Sequence, residues 1–143
     1  MAPSVFSNIA ERLNRAGVVY CMLRNGMDPH SPAAEIDLLV WPQYRLKFRN
    51  IAACAGFRRS KHNRALKETY SHFDGERILF VDVHYALVQN DLVYMNLKRI
   101  ENRLEEGCDG GKMLSKEDQL LHLFFHSLIG KGQVQAKYLP IRL

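Results

Sequence analysis

Apolar positions near the start of the chain recur at four-residue spacing. Val5, Ile9 and Leu13 form this series, and a glycine follows it. Such spacing predicts an amphipathic helix over residues 4–15, ended by the glycine. Residues 18–23 are a continuous apolar run rich in strand-forming types. This run predicts a buried strand directly after the helix.

Shorter patterns follow in the middle of the chain. Residues 24–34 combine proline, glycine and polar types and predict a loop, whereas residues 35–41 are apolar enough for a second strand. Pro42 suits the first turn of a helix that continues to about Cys54. Gly56 is then expected to end that helix.

Three further strands are predicted beyond this helix. They cover residues 57–60, 67–73 and 77–84. Asp74 and Gly75 stand between the last two, and an Asp-Gly pair is a strong signal for a hairpin turn. The middle of the chain is therefore expected to contain an antiparallel pair of strands.

The last third of the chain is helical in its pattern. A short helix is predicted over residues 97–104, followed by two glycines that form a flexible joint. Ser115 and Asp118 have the spacing of a capping box and begin a longer helix, which Gly130 or Gly132 ends. The face expected to be buried is broad and consists of Leu120, Leu121, Phe124, Phe125 and Leu128.

The predicted elements follow the order helix, strand, loop, strand, helix, three strands and two helices. Elements in this order pack as a mixed sheet with helices against it, so we predict an α+β fold (an α/β mixed sheet) with a helical C-terminal part. We expect one domain over residues 1–108 and a helical extension over residues 109–143 packed on it. Because the apolar pattern continues at the end of the chain, we expect a fragment of a longer protein.

The composition excludes a mainly disordered chain. Of the 143 residues, 47% are hydrophobic and 24% are charged, which is typical of a globular domain. We see neither a signal peptide nor a membrane-length apolar run, so we expect a cytoplasmic protein without a membrane partner. The three cysteines match no disulfide or zinc framework. A net charge of +5 indicates a surface that attracts anions.

Acidic residues interrupt two otherwise apolar strands. Glu35 and Asp37 lie two apart, so both side chains project to the same face of their strand. Asp82 lies in a later strand. Burying a carboxylate in such a run costs hydration free energy unless a partner compensates its charge. A divalent cation, Mg²⁺ or Mn²⁺, would compensate all three, whereas solvation or pairing with arginines is the simpler alternative.

The histidines give weaker signals. His84 shares a strand face with Asp82 and either hydrogen-bonds it or is merely packed. His122 and His126 are four apart on one predicted helix, a spacing that zinc can use. Because no third ligand is evident, a structural or site-facing polar pair is the favoured interpretation. The sequence also lacks P-loop, helix-turn-helix, zinc-finger and RNP motifs, so we do not expect a nucleic-acid partner.

Three short motifs occur in a recognisable order. They are Leu23-Arg24-Asn25-Gly26, Glu35-Ile36-Asp37-Leu38-Leu39-Val40 and Val81-Asp82-Val83-His84. Together they resemble the signature of the DNA polymerase β-like nucleotidyltransferase superfamily. The similarity is greatest to small, mostly uncharacterised bacterial members, which also carry a later helix like residues 117–126. It spans residues 18–126.

The resemblance implies a role for each matching residue. Glu35 and Asp37 would hold the metals that bridge the nucleotide phosphates. Asp82 would help to bind the catalytic metal and would activate the acceptor hydroxyl, which makes Asp37 and Asp82 the predicted catalytic pair. Gly26 would let the backbone approach the triphosphate closely. The residues that would neutralise the triphosphate are Arg24, Lys61, Arg64 and Lys67.

The resemblance therefore predicts transfer of a nucleoside monophosphate from an NTP to a hydroxyl on a small molecule, a sugar or a protein, with release of pyrophosphate. Met27 follows Gly26, and the first acid is Glu35 rather than an aspartate. These departures leave a second interpretation, a catalytically degenerate nucleotidyltransferase fold that acts as a binding or regulatory module. Nucleotide-dependent metal binding that is lost with Asp37 would distinguish the two.

Overall fold

The computed structural model describes residues 5–23, 33–107 and 110–132. In these ranges the helices are α1 (Val5–Arg15), α2 (Arg45–Cys54, after a 3₁₀ turn at Pro42–Tyr44), α3 (Leu97–Glu101) and α4 (Lys116–Lys131). The strands are β1 (Tyr20–Met22), β2 (Ala33–Val40), β3 (Arg58–Arg59), β4 (Lys67–Phe73), β5 (Ile78–His84), β6 (Val88–Gln89), β7 (Leu92–Val93), β8 (Glu105–Glu106) and β9 (Lys112–Met113). None of these helices is long and apolar enough to cross a membrane.

Seven of the strands form one mixed sheet in the order β3-β4-β5-β2-β1-β9-β8. At its centre β2 and β5 run parallel, with Asp37 opposite Asp82. β4 pairs with β5 in the antiparallel direction and places Thr69 opposite the same aspartate. Because opposed residues share a face of the sheet, these three side chains form a row across it. The predicted α+β fold is confirmed.

The two faces of the sheet pack against different partners. One face contributes alternate residues of β2 and β5, such as Ile36 and Val81, to a core with α1 and α2, where Leu13 and Phe48 are fully buried. The other face contributes Leu39 to a smaller core that includes residues of β1, α3 and the segment before α4. Asp37 and Asp82 lie on this second face, since Asp37 alternates with the residues that point to α1 and α2.

Several segments differ from the sequence prediction. The helix predicted over residues 97–104 ends at Glu101. The residues after it form β8 and, beyond the predicted glycine joint, β9, which together extend the edge of the sheet. A small hairpin of β6 and β7 was also not predicted, and it turns at Asn90 and Asp91, whose φ angles are positive. Two-residue strands are too short to show a period of two in the sequence, so pattern analysis misses them.

Helix α4 has the predicted ends but a different buried face. Ser115 caps it by accepting a hydrogen bond from the backbone N–H of Asp118, and Gly132 ends it in the left-handed conformation. The prediction of its buried face is wrong, since Leu121, Phe124 and Leu128 are 40–44% exposed. The buried residues are Asp118, Gln119, His122, Leu123 and Ser127. The predicted face is apolar in sequence, but packing against the rest of the chain, rather than apolar spacing, decides which side of this helix is buried.

Candidate active site

Three carboxylates converge where β2 and β5 lie side by side. Glu35 and Asp37 come from β2, and Asp82 comes from β5. One carboxylate oxygen from each lies within 4.8 Å of the others. The convergence follows from local geometry, because the period of two aligns the β2 pair and the parallel register places Asp82 opposite Asp37. Hard oxygen donors at this spacing could hold Mg²⁺ or Mn²⁺.

Strand β4 supplies two contacts to Asp82. Thr69 donates its hydroxyl hydrogen to Asp82 Oδ1 over 2.9 Å. Lys67 Nζ lies 3.2 Å from Asp82 Oδ2. Both residues face the site because they are two apart on the strand that pairs with β5. These contacts hold the carboxylate in one orientation and offset part of its charge.

His84 lies two residues beyond Asp82 on the same strand face. Its Nε2 is 3.9 Å from Asp37 Oδ1, beyond hydrogen-bond distance but close enough for attraction when the ring is protonated. The structure thus gives His84 a contact with Asp37, whereas the sequence pattern left open a hydrogen bond with Asp82 or simple packing. Each aspartate of the pair therefore has a basic side chain beside it.

The carboxylates open into a cleft of about 320 Å³. This volume is within the usual range for small-molecule sites. Sheet residues form one wall, and the second wall comes from the β6 region and α4. The lining residues are Leu23, Glu35, Asp37, Lys67, Asp82, His84, Ala86, Val88, Gln89, Tyr94, His122, Leu123, His126, Ser127 and Lys131.

The two histidines of α4, His122 and His126, both line the cleft. Tyr94 Oη lies 3.0 Å from His122 Nδ1, and the two rings are stacked with centroids 5.9 Å apart. The ring centroid of His126 is 5.8 Å from that of His122. Burial raises the pKa of the Tyr94 hydroxyl, which therefore stays protonated. In the described part of the chain no third ligand joins the two histidines in a metal-binding group.

The predicted phosphate-binding residues are only partly brought together. Lys67 lines the cleft. Lys61 and Arg64 are exposed in the connection between β3 and β4 and are absent from the lining. Arg24 and Gly26 lie outside the described residues. Of the predicted basic residues that are described, Lys67 is therefore the one at the carboxylates.

A charged cluster that the sequence did not reveal lies on the opposite face of β4. Glu68 is 1% exposed. It accepts hydrogen bonds from Arg49 at 2.5 Å, from Arg59 at 3.0 Å and from the hydroxyls of Tyr70 and Tyr85. Burial alone would raise its pKa, but these hydrogen bonds and the arginine charges lower the pKa to about 2.

The cluster stabilises the fold behind the site. Burial and the nearby Glu68 charge raise the pKa of Tyr70 to about 12, so this phenol donates to the carboxylate without ionising. Tyr70 is two residues from Glu68 on β4, but the other partners come from β3, α2 and the residue after β5, at separations that no short motif can show. Glu68 stands between Lys67 and Thr69 in a largely polar strand, so the sequence gives no signal that this glutamate is buried.

The sequence matches one known family over most of its length. A family described as uncharacterised nucleotidyltransferases matches residues 26–135. No curated protein matches the sequence significantly. The matched range includes all three carboxylates and the whole of α4.

Two solved structures share the fold. The crystal structure of the lincosamide antibiotic adenylyltransferase LnuA, with lincomycin bound, has 16% identity and a TM-score of 0.55, covering 85% of each chain. The solution structure of the antibiotic-resistance factor ANT(2'')-Ia has 13% identity and a TM-score of 0.56, covering 94% of this chain and 76% of that one. At such identities the likeness shows the fold alone.

Proposed function

Because the chain belongs to the family of uncharacterised nucleotidyltransferases, within the DNA polymerase β-like superfamily, we propose that it transfers a nucleoside monophosphate from an NTP to a hydroxyl acceptor. The observation that carries the proposal is the convergence of Glu35, Asp37 and Asp82 in the lining of one cleft. Family membership makes the reaction type the first hypothesis, and these carboxylates are the groups in this chain that suit it.

The carboxylates fit a divalent metal. Glu35, Asp37 and Asp82 present three hard oxygen donors on one face of the sheet, and Mg²⁺ and Mn²⁺ prefer such donors. When bound, the metal would neutralise the triphosphate and the pyrophosphate that leaves. We assign Glu35 and Asp37 to the nucleotide side of this site. Asp82, which lies deeper than Glu35, is assigned to the acceptor side.

The proposed reaction needs one base and good alignment. The acceptor hydroxyl oxygen forms a bond to the α-phosphorus, and the bond from that phosphorus to the bridging oxygen breaks, with its electron pair leaving on pyrophosphate. The hydroxyl proton passes to a carboxylate oxygen of Asp82. Thr69 holds Asp82 by a 2.9 Å hydrogen bond, which restricts the orientation of the base.

Basic residues would neutralise the triphosphate. Lys67 is the first choice, since it lines the cleft and is already within 3.2 Å of Asp82. Arg24 and Gly26 keep the role that the sequence motif implies. Lys61 and Arg64 are exposed away from the cleft, so they are proposed only as a second layer of positive charge.

A second candidate is a module that binds a nucleotide without transferring it. Both oxygens of Asp82 already have partners, Thr69 on one and Lys67 on the other. A carboxylate compensated in this way has less need for a metal. In this reading the cleft retains nucleotide binding, while the metal arrangement required for transfer is lost.

Calorimetric titration with ATP and Mg²⁺ tests the proposal, followed by a transfer assay with α-labelled ATP. We choose ATP because one of the two similar structures is an adenylyltransferase. The wild type is expected to bind ATP only with the metal, and Asp37→Asn and Asp82→Asn are each expected to weaken binding by tenfold or more, about 1.4 kcal/mol. Asp91→Asn is the matched control, since Asp91 is exposed and outside the cleft.

The outcomes separate the two candidates. Metal-dependent binding with label transfer to any hydroxyl acceptor, including water, supports the enzyme. Binding that needs no metal and gives no transfer supports the module. If ATP and the other NTPs fail to bind with either Mg²⁺ or Mn²⁺, both candidates are wrong for this chain.

A further inference from the structure

The two walls of the cleft differ in their carboxylates. The sheet wall carries Glu35, Asp37 and Asp82, with Lys67 and His84 beside the two aspartates. The described residues of the α4 wall contribute no carboxylate. That wall instead carries His126 and Lys131, together with hydroxyl, imidazole and amide groups. If the sheet carboxylates are committed to a metal, the positive and neutral groups of α4 remain to contact a second substrate.

Ser127 gives an independent sign that a ligand contacts this wall. Its side chain is 1% exposed and lines the cleft. Its Oγ has no hydrogen-bond partner among the described residues. A buried hydroxyl without a partner costs free energy, so a polar ligand atom or a water is expected to pair with it.

The same wall is held in a fixed shape. The contact between Tyr94 and His122 sets the orientation of that imidazole, and His126 packs beside it. All of these groups lie on one helix or directly against it, so they keep their spacing when a ligand enters. Pre-ordered polar groups of this kind are typical of a substrate subsite.

We propose that the α4 wall binds the acceptor of the reaction, and that this acceptor carries an anionic group, a carboxylate or a phosphate, near its reactive hydroxyl. The inference rests on the proposed function. The anion lies against Lys131 and His126, Ser127 hydrogen-bonds a polar atom of the acceptor, and the hydroxyl faces Asp82 across the cleft. A cationic acceptor would meet Lys131 and no described carboxylate outside the metal group.

The experiment compares four pyranose probes that differ in charge. Glucose 6-phosphate and glucuronate are anionic, glucose is neutral and glucosamine is cationic. Each is titrated calorimetrically into the protein, with and without Mg²⁺ and a non-hydrolysable ATP analogue. Both anionic probes are expected to bind at least tenfold more tightly than glucose, with glucosamine weakest; a preference between phosphate and carboxylate identifies the anion.

Variants connect the selectivity to α4. Lys131→Met is expected to reduce binding of the anionic probes by about fivefold or more, and Ser127→Ala by a smaller factor. Lys112→Met is the control, since Lys112 is exposed on β9 and does not line the cleft. Unchanged binding in Lys131→Met, equal or tighter binding of glucose or glucosamine, or no binding of either anionic probe overturns the inference.

The two proposals fail separately. Binding of the ATP analogue is measured first and reports on the nucleotide side of the site, that is, on the carboxylates and Lys67. If the analogue binds and the anionic sugars do not depend on Lys131, only the acceptor inference is wrong. If the analogue does not bind, the titrations without nucleotide still measure the charge preference of the α4 wall.

Discussion

Thr69 and Asp82 are joined by a 2.9 Å hydrogen bond across the β4–β5 pair. The donor belongs to a strand that runs antiparallel to the strand of the acceptor, and the register places the two residues directly opposite each other. The position of the proposed base is therefore determined by sheet pairing rather than by a loop. A site on paired strands is held more precisely than one on a loop.

Replacing Thr69 with valine tests this positioning role. Thr69→Val keeps the shape but removes the donor, so the maximal transfer rate is expected to fall roughly tenfold while the KM for ATP changes little. Thr69→Ser, which restores a hydroxyl, is expected to recover most of the rate. A loss of thermal stability without a change in rate would show that the hydrogen bond is merely structural.

Single replacements of Lys67, Lys61 and Arg64 test which of the predicted basic residues contacts the triphosphate. Because Lys67 lines the cleft, Lys67→Met is expected to weaken ATP binding by about tenfold. Lys61→Met and Arg64→Met remove charges that are exposed outside the cleft, and each is expected to change binding less than twofold. Calorimetry on the three variants compares them. Equal losses in all three would mean that only the overall positive field matters.

The buried Glu68 cluster makes the free energy of unfolding depend on pH. The pKa of Glu68 is about 2 in the folded chain against an ordinary 4.5, which corresponds to roughly 3 kcal/mol at neutral pH. This contribution is complete above about pH 4.5 and is lost as the pH falls toward 2, since the unfolded chain then binds the proton more readily.

Urea unfolding of Glu68→Gln measures that contribution. The variant is expected to be about 3 kcal/mol less stable than the wild type at pH 7, and the difference is expected to narrow steadily below pH 4.5. Glu76→Gln, at an exposed position in the β4–β5 turn, serves as control and should show no such difference. A gap between wild type and Glu68→Gln that stays constant down to pH 3 would contradict the assignment.

The cysteines are expected to differ in reactivity. Cys21 is fully buried, and its burial raises the pKa of the thiol, whereas Cys54 is exposed at the end of α2. In a Cys108→Ser background, Cys54 should react rapidly with a thiol reagent and Cys21 only when the protein unfolds. Adding Cys54→Ser should abolish the rapid phase. Rapid modification of both thiols in the folded protein would disprove the burial of Cys21.

The sequence predicts the three carboxylates of the site better than it predicts the helical wall of the cleft. Glu35, Asp37 and Asp82 interrupt strands long enough for a period of two to be visible, so their shared face follows from the pattern. The apolar residues of helix α4 form a broad face that their spacing predicts to be buried, whereas His122 and Ser127 are among the residues turned inward. Tertiary packing decides the orientation of such a helix.

Glu68 shows a different limit of sequence analysis. Arg49 is separated from it by the second half of α2 and by β3, and Tyr85 lies beyond β5. Neighbouring positions in sequence therefore carry no information about this ion pair. The strand around Glu68 is largely polar, so neither the burial of this glutamate nor its partners can be predicted before the packing of α2 on the sheet is known.

The alternation of acids and apolar residues in β2 also has a consequence for folding. If β2 slipped by one residue relative to the helices, Glu35 and Asp37 would enter the core formed with Leu13 and Phe48, while Ile36 and Leu38 would face the cleft. Burying two charges without partners would cost several kcal/mol. The carboxylates proposed for nucleotidyl transfer thus also penalise incorrect strand pairing, and replacing them with neutral residues is expected to make the chain more tolerant of misaligned states.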